Sequence, residues 1–558
     1  MSELELRKDK LLAKLKPFLK DKYTISLICI LLLTLILRLY YINTALQQAV
    51  WWDSADYLSA AKIIGGRLAT SGGYDWTATR PIFLAIFWGM LYRLGANELI
   101  LHLTEIFFAV LGTFATYLVG KELYNKKIGL IASFIFSVFF LPLFYTFRLM
   151  SDIPAISLYF LSIYFLWKGF VKEEGNKYKI FSMALLSLSL FTRAATIIEI
   201  PAILLFLLIY KRFSLFKDKY FWYAALAAFL VFIPNLISIY ILHGGNPIIK
   251  FFGLDVGRFG SASGWPHFDL ALSWGWYFLK SLSWPIMIPT LIGAYIFLEM
   301  FIGLDLIFKK KEETKKIWPH LLLFLWILLP FSYHTIYAGA TFDERYLFYI
   351  YPAVFILTGH GFMLISKWIT KLGSSKYIKY VPLVLIVLML AIGGYKQIQK
   401  GNDLIINKAG SYYAVKLAGL WIKENSNPTD IVISGSRYQN IYYSERDTYN
   451  FALEGYVDRD FIKKQSELQN ISRETHGYLT EESFDEQIEK LKPRYMTVSI
   501  FETHPPWSYT YADRHKNVKP VQAYFLDAEK QNLALVIYEF TGYNKNVKVQ
   551  GPEIKISG

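Results

Sequence analysis

The sequence predicts an α-helical polytopic membrane protein of about eleven spans, followed by an α/β domain outside the membrane. Three observations predict it. The chain is 54% hydrophobic and 18% aromatic over 558 residues, with only 18% charged and a mean hydropathy of +0.31. A soluble chain of this length does not carry such long uncharged runs. The basic residues fall mostly in short clusters between apolar runs, as cytoplasmic loops do, so the net charge of +15 does not call for a nucleic-acid partner. After Tyr395 the composition turns polar and no spanning run follows. The expected division is a membrane domain over 1–396 and a soluble extracytoplasmic domain over 397–558.

Taken in order, the N-terminal tail MSELELRKDKLLAKLKPFLKDK is basic. The run after it is too long for a signal h-region and lacks a small-residue cleavage site, so it is expected to be retained. Apolar runs suited to spanning lie at 23–41, 98–120, 128–147, 154–171, 180–193, 194–210, 221–243, 281–308, 319–337, 346–366 and 380–396, judged against a need of ~20 residues. The pair 180–193 and 194–210 is short, with Thr192–Arg193 at its turn, and reads as a bent hairpin. The single cysteine, Cys29, lies in the first run, so no intramolecular disulfide forms.

One further run, Pro81 to Gly95, is short and interrupted by Arg93. If it lies flat on the outer surface, the tail and the five later basic clusters share one side; if it spans, they oppose each other. The positive-inside rule favours the flat helix. The N-terminus is then cytoplasmic, the protein multi-pass in the cell membrane, and the loops 42–97, 148–153, 244–280 and 338–345 face outward together with the C-terminal domain. In that domain Ala414, Leu417, Ala418, Trp421 and Ile422 mark one face of a helix closing near Asn425. DIVIS, RYMTVSIF and LALVIYEF read as strands, with FDEQIEKL a helix before the second.

The outward loops hold the unusual residues. WWDSADYLSAAKIIGGRLATSGGYDWTATRP, Trp51 to Pro81, opens with two tryptophans, which favour the membrane–water interface, and carries Asp53, Asp56, Asp75 and Arg80. Two carboxylates and a cation at that depth suit a substrate that is itself half lipid. A plainer reading makes Asp53 the N-cap of a helix 54–64 and Asp56 its capping-box partner. That helix would bury Tyr57, Ala60, Ala61 and Ile64 and end at Gly65–Gly66.

RLMSDIP places Arg148 and Asp152 at the outer end of the third span. Asp152 would cap the next helix, or pair with Arg80 or Arg148, because an acid held close to lipid is expensive unless paired. FDERYLFYIYP sets Asp343, Glu344, Arg345 and Tyr346 at the start of the tenth span. Arg345 reads as a snorkelling anchor or as a fork for a phosphate. Arg193 and Arg258 are weaker cations of the same kind. His267 is a lone histidine, a weak metal candidate with no partner at ligand spacing. No phosphate-cradling Gly-rich loop, HExxH or CxxC is present, which argues against a nucleotide-driven pump.

WWDSADYLSAAKIIGG, TRPIFLAIFWGMLYRLGANELI, RLMSDIPA and DERYLFYIYP, in that order and spacing, resemble the GT-C class of membrane glycosyltransferases. The likeness is to the protein O-mannosyltransferases and the lipid A aminoarabinose transferases. It covers 1–396 and is strongest over 45–170. The resemblance implies a GT-C-like fold and a glycosyltransferase whose donor is a sugar on polyprenyl or dolichyl phosphate in the outer leaflet. The acceptor, a lipid, glycan or protein, is left open.

The resemblance also implies roles. Asp53 matches the first-loop catalytic acid, Asp152 the second acid, Arg80 a position where relatives often carry lysine, and Arg345 the arginine of an RY motif. Ser54, where many relatives have glutamate, and Thr79, where some have an acid, leave the need for a divalent metal open and Asp56 without a counterpart.

The donor sets the chemistry. A phosphate leaving group needs cations more than a general acid; Arg80 and Arg345 are expected to supply them, with Arg193, Arg258 and Arg148 as further substrate-side residues. The acceptor hydroxyl needs a base, assigned to Asp53, and a single displacement inverts the anomeric centre. Two other classes compete. A transporter or lipid carrier would show ionisable residues at mid-span, where Glu105, Glu199, Glu299 and Asp305 are the candidates. A non-catalytic scaffold would only display the external domain.

Overall fold

The computed structural model describes residues 21–69, 76–252, 267–303, 317–337, 344–371, 377–378, 380–451, 480–502, 504–527 and 529–542. Asp75, Arg258, Asp305 and Asp343, named above, lie outside the described residues. Among those described, nine helices are long and apolar enough to cross a membrane, by length and composition: Lys22–Gln47, Glu98–Leu123, Asp152–Val171, Ala194–Lys211, Lys219–His243, Trp284–Ile302, Ile317–Tyr337, Glu344–Lys371 and Val381–Asn407.

The two other apolar runs are helical but shorter or broken. Asn176–Thr192 has 17 residues. The run at 128–147 divides into Lys126–Val138 and Phe140–Tyr145, because Phe139 turns extended. The chain is a multi-pass helical membrane protein. Phe83–Arg93, with 11 residues, is about 16 Å long, well short of a ~30 Å hydrocarbon core.

The chain forms two compact units. One comprises Met1–Ile42, Ala78–Phe83 and His102–Ile406; the other comprises Asn43–Thr77, Leu84–Leu101 and Asn407–Gly558. In the first, helices touch through their smallest residues. A Cβ added to Gly293 would lie 1.9 Å from the Leu357 carbonyl oxygen, and one on Gly361 1.8 Å from that of Pro289. Trp284–Gly293 and Tyr351–Lys371 are thus in backbone contact, which is how helices gain packing where lipid removes the hydrophobic drive between them. Polar side chains are paired across the same seam: Thr290 and Thr358 hydroxyls meet at 2.7 Å. Arg38, fully buried, donates to the Ser137 carbonyl at 2.6 Å.

The second unit contains a five-stranded sheet of β1 (Ile431–Ser434), β2 (Asp447–Tyr449), β3 (Tyr495–Ser499), β4 (Val518–Phe525) and β5 (Leu533–Phe540), in the order β2-β1-β3-β5-β4. β1 pairs in parallel with β2 and β3, while β5 is antiparallel to β3 and β4. Successive residues of a strand face opposite sides. Val432 accordingly packs with Ala414, Val415, Ala418 and Ile422 of helix Tyr413–Glu424, and Ile433 with Phe451, Phe484 and Ile488 on the other face. The three expected strands, the helix closing at Asn425 and the helix Glu481–Leu491 are present. β2 and β4 were not read from sequence: β2 has three residues, and β4 is an edge strand interrupted by Pro520 and a register shift.

The first loop folds into this same unit. Helix Trp52–Ile64 ends at Gly65, and Gly66 adopts φ +71°, a left-handed stop that glycine takes without penalty. Its neighbour is helix Phe83–Arg93: a Cβ on Gly65 would come within 2.9 Å of Tyr92 Cβ, and one on Gly89 within 2.7 Å of Ile64. The loop helix is buried on every side from Ser54 to Ala61, whereas Ile64 is exposed. The one-sided amphipathic face expected for it is therefore not what forms, because helices Phe83–Arg93 and Arg437–Ser444 both pack against it.

Candidate functional site

Asp152 is the best-defined site residue of the first unit. Helix Asp152–Leu166 begins at it, so Ser151 holds the cap position and makes no side-chain cap bond. The capping reading of Asp152 is corrected accordingly. Its carboxylate is 1% exposed and accepts from Arg193 Nη1 at 3.0 Å. The same guanidinium nitrogen donates to Ser151 Oγ at 3.3 Å. The sequence pointed to Arg80 or Arg148 for this partner; Arg193 is a partner it did not name.

Arg193 reaches Asp152 because the hairpin turns on it. Asn176–Thr192 stops at Thr192, Arg193 is extended, and a 3-10 turn over Ala194–Glu199 follows. The approach to Asp152 is strained as well: Leu149, 1% exposed, holds φ +48°, a region leucine rarely occupies. Arg148, just before it, is buried with its guanidinium 4.3 Å over the Phe144 ring.

Three other segments are tied to the Arg193 turn. Thr196 shares a 2.7 Å hydrogen bond with Tyr349 OH, which lies on the 3-10 turn Glu344–Ile350 that carries Arg345 and Tyr346. Tyr159, on the Asp152 helix, meets the Tyr349 ring at 5.4 Å and donates to Glu199 Oε2 at 3.3 Å. Phe83 packs on Phe191 at 5.5 Å, and Ile82 N–H donates to Asn235 Oδ1 at 3.2 Å, fixing the segment that follows Arg80. Arg80 and Arg345 are both half-buried. The Tyr346 ring stacks on His334 at 5.1 Å.

Sequence reasoning missed Tyr159, Thr196 and Tyr349, which sit inside apolar helical runs. Glu199 stood out as a mid-span acid, but the structure makes it Tyr159's acceptor. Glu105 is fully buried, with neither carboxylate oxygen hydrogen-bonded.

In the second unit, Asp53 occupies the second helical position. The helix starts at Trp52, and Trp51 at the cap makes no side-chain cap bond. The N-cap and capping-box readings of Asp53 and Asp56 are thus corrected. Asp53 lies half-buried at the positive end of the helix dipole, and Asp56 is fully buried.

The C-terminal part of this unit holds the segment around Asp53. Trp52 Nε1 donates to Glu502 Oε1, and the Trp52 ring meets Tyr438 edge-on at 5.3 Å. Val50 N–H donates to Tyr443 OH at 2.8 Å. Lys416 Nζ donates to the Leu46, Gln47 and Gln48 carbonyls at 2.9, 3.3 and 3.2 Å, capping the end of helix Ile42–Gln47. Lys62 Nζ reaches Glu445 Oε1 at 2.8 Å and the Tyr442 carbonyl at 2.7 Å. Burial raises the Glu502 carboxyl above its ordinary value, against its hydrogen bonds from Trp52 and Tyr412. Partial burial would also raise Glu445, but bonds from Lys423 and Lys62 bring it below the usual carboxylate range.

His267 heads helix Phe268–Ser281, with its backbone N–H donating to the Ile336 carbonyl at 3.2 Å. Among the described residues no group of three His, Cys, Asp or Glu side chains is placed to hold a metal ion.

Residues 79–238 match the family described as dolichyl-phosphate-mannose-protein mannosyltransferase. No curated protein matches the chain by sequence. Solved structures match over most of it. ArnT from Cupriavidus metallidurans, bound to undecaprenyl phosphate, aligns with TM-score 0.59 and 10% identity over 92% of this chain and 97% of that one. The Archaeoglobus fulgidus oligosaccharyltransferase in its apo form aligns with TM-score 0.55 and 15% identity, over 86% and 70% respectively. AglB from Archaeoglobus fulgidus, in complex with an inhibitory peptide and a dolichol-phosphate, aligns with TM-score 0.52 and 14% identity, over 95% and 75%. The fold is the GT-C fold that these glycosyltransferases share.

Proposed function

We propose that the protein is a membrane glycosyltransferase that moves a sugar from a polyprenyl or dolichyl phosphate to a hydroxyl of a lipid, glycan or protein acceptor. The observation that carries this reading is the buried Asp152–Arg193 pair, whose turn is joined to the segments bearing Arg80 and Arg345. A buried, charged cluster in a membrane protein is costly and suits a charged, lipid-borne substrate. The polyprenyl and dolichol phosphates bound by the structural neighbours support the same donor class.

In this reading Asp53 takes the proton of the acceptor hydroxyl as its oxygen attacks the anomeric carbon. The bond from that carbon to the phosphate oxygen breaks, and its electron pair leaves with the lipid phosphate. Arg80 and Arg345 neutralise that anion, which needs fixed positive charge more than a proton. Asp152 holds Arg193 in place and orients the sugar. Attack opposite the phosphate inverts the anomeric centre. We further propose that the first loop and the C-terminal domain face outward, with the N-terminus cytoplasmic, as the positive-inside rule requires.

The test is transfer by the purified protein from a panel of labelled polyprenyl-phosphate sugars. Release of free lipid phosphate together with a labelled acceptor is expected for at least one sugar. Transport of a lipid-linked sugar across vesicles with no transfer would support the carrier reading instead.

A further inference from the structure

The sheet of the second unit has an edge whose exits carry Tyr438 and Glu502, the neighbours of Trp52, beside polar groups that none of the chemistry above uses. The chain runs from β1 to β2 on one side, then returns to β3 on the other side of β1. The carboxyl ends of β1 and β3 therefore flank the point where the strand order reverses. In open α/β sheets that is where ligands bind. β1 leaves this edge through Gly435 and Ser436 into helix Arg437–Ser444. β3 leaves through Ser499 toward His504.

Polar atoms at this edge are left over. Ser436 is the cap residue of its helix but makes no side-chain cap bond. Its Oγ, both amide atoms of Gln439, both amide atoms of Asn440 and Nδ1 of His504 are buried without a hydrogen-bond partner among the described residues. These four residues are 2%, 0%, 2% and 5% exposed. Each such atom costs about 1–3 kcal/mol if nothing satisfies it, and native folds hold few of them. Neighbouring groups are satisfied: Thr497 and Ser434 hydroxyls bond at 2.7 Å, and Arg437 Nε donates to the Thr448 carbonyl at 3.1 Å.

His504 faces the exit of β1. Its Nε2 accepts the Ser499 N–H at 3.1 Å, which leaves the proton on Nδ1. That side of the ring lies against Gly435, where an added Cβ would fall 2.4 Å from Cε1 and 2.9 Å from Nδ1. Gly435 is itself half-exposed, and the exposed ring of Tyr509 stands 5.8 Å from His504. Burial lowers the His504 pKa to about 4, so the ring is neutral at physiological pH.

We propose that this edge is a binding subsite for a neutral, hydroxyl-rich ligand, a saccharide. The unpartnered atoms are a mixture of donors (His504 Nδ1–H and the amide N–H groups) and acceptors (the Gln439 and Asn440 carbonyl oxygens), with the Ser436 hydroxyl serving as either. A sugar hydroxyl both donates and accepts, and so matches that mixture. A phosphate is an anion that chiefly accepts, and would face the two amide oxygens with no lysine or arginine among the unpartnered groups. Tyr509 offers an apolar face beside them for a pyranose ring. This deepens the proposed function by giving the acceptor's sugar a place to dock, and rests on that function only for calling the sugar an acceptor.

The test is binding, measured apart from transfer. The full-length protein in detergent is titrated with methyl α-D-mannopyranoside, methyl α-D-glucopyranoside, N-acetylglucosamine and, separately, inorganic phosphate. Amide-exchange protection over 434–441 and 499–509 is the readout. At least one glycoside should protect both segments. Gln439→Leu with Asn440→Leu, and separately Gly435→Ala, should weaken that binding tenfold or more; the leucine pair should keep or raise thermal stability, since it removes unsatisfied atoms. Three results would overturn the subsite: no glycoside protects the wild-type protein, phosphate alone protects it, or the folded leucine pair binds as well as wild type. A protein that binds a glycoside but transfers nothing would sink the proposed function and leave the subsite standing.

Discussion

Arg193 Nη1 donates to Asp152 Oδ2 at 3.0 Å across 41 residues of sequence, joining the turn of a helical hairpin to the head of another helix. Removing one member of a buried ion pair costs about 3–5 kcal/mol. Asp152→Asn and Arg193→Gln should each lower stability by that order, and the double variant by less than their sum. Thermal unfolding in one detergent measures this cycle; strict additivity would mean that the pair does not couple.

Asp53 separates catalysis from helix capping. Since Trp51 and not Asp53 holds the cap position, Asp53→Asn leaves the cap in place and removes a favourable charge near the helix dipole, worth about 0.3–1 kcal/mol. A lost general base costs ~10²–10⁴ in rate. Turnover and melting temperature, measured on the same preparation, should show a large fall in the first and a small one in the second. Retained turnover would move the base to another acid.

The two phosphate-side arginines predict a binding defect. Arg80→Gln and Arg345→Gln should each weaken the donor by roughly ten- to a hundredfold, since a hydrogen bond to a charged group is worth ~1.5–3 kcal/mol. Isothermal titration with a polyprenyl phosphate is the direct measurement. Unchanged affinity in both variants would leave them as membrane anchors.

Glu502 tests whether the C-terminal part serves the first loop. It accepts from Trp52, the residue before Asp53. Glu502→Ala should lower kcat about tenfold, the equivalent of ~1.4 kcal/mol, while donor affinity holds. Glu502→Gln keeps an oxygen for the indole N–H and should recover most of the rate. Failure of glutamine to rescue would show that the charge, rather than the hydrogen bond, matters.

Glu445 sets an acid limit on the same unit. Bonds from Lys423 and Lys62 hold its folded pKa below the ordinary glutamate value. A depressed acid contributes stability that is full above the unfolded value and lost as pH falls through the folded one. Melting temperature should therefore drop below about pH 4.5, and Glu445→Gln should be less stable at neutral pH with a shallower acid drop. An acid drop unchanged in Glu445→Gln would place it elsewhere.

The sequence by itself determined the class of molecule. Run length and hydropathy settle helices across lipid, because every backbone group there must be satisfied within its own segment. The short β-branched and apolar runs DIVIS, RYMTVSIF and LALVIYEF mark β1, β3 and β5 for an equally local reason. Asp152, Arg193 and Arg345 were legible as candidates because charge is rare in such runs.

Tertiary structure alone decided what they touch. Arg193, read from sequence only as a weaker cation, is a partner of Asp152 because the helix ends at Thr192 and Arg193 turns extended. Tyr159, Thr196 and Tyr349 carried no signal, since an aromatic or hydroxyl residue in an apolar run reads as packing. Glu502 lies 450 residues from Trp52, and nothing periodic connects them. Local pattern is set by backbone geometry over a few residues, whereas a hydrogen bond between distant residues depends on how whole elements pack.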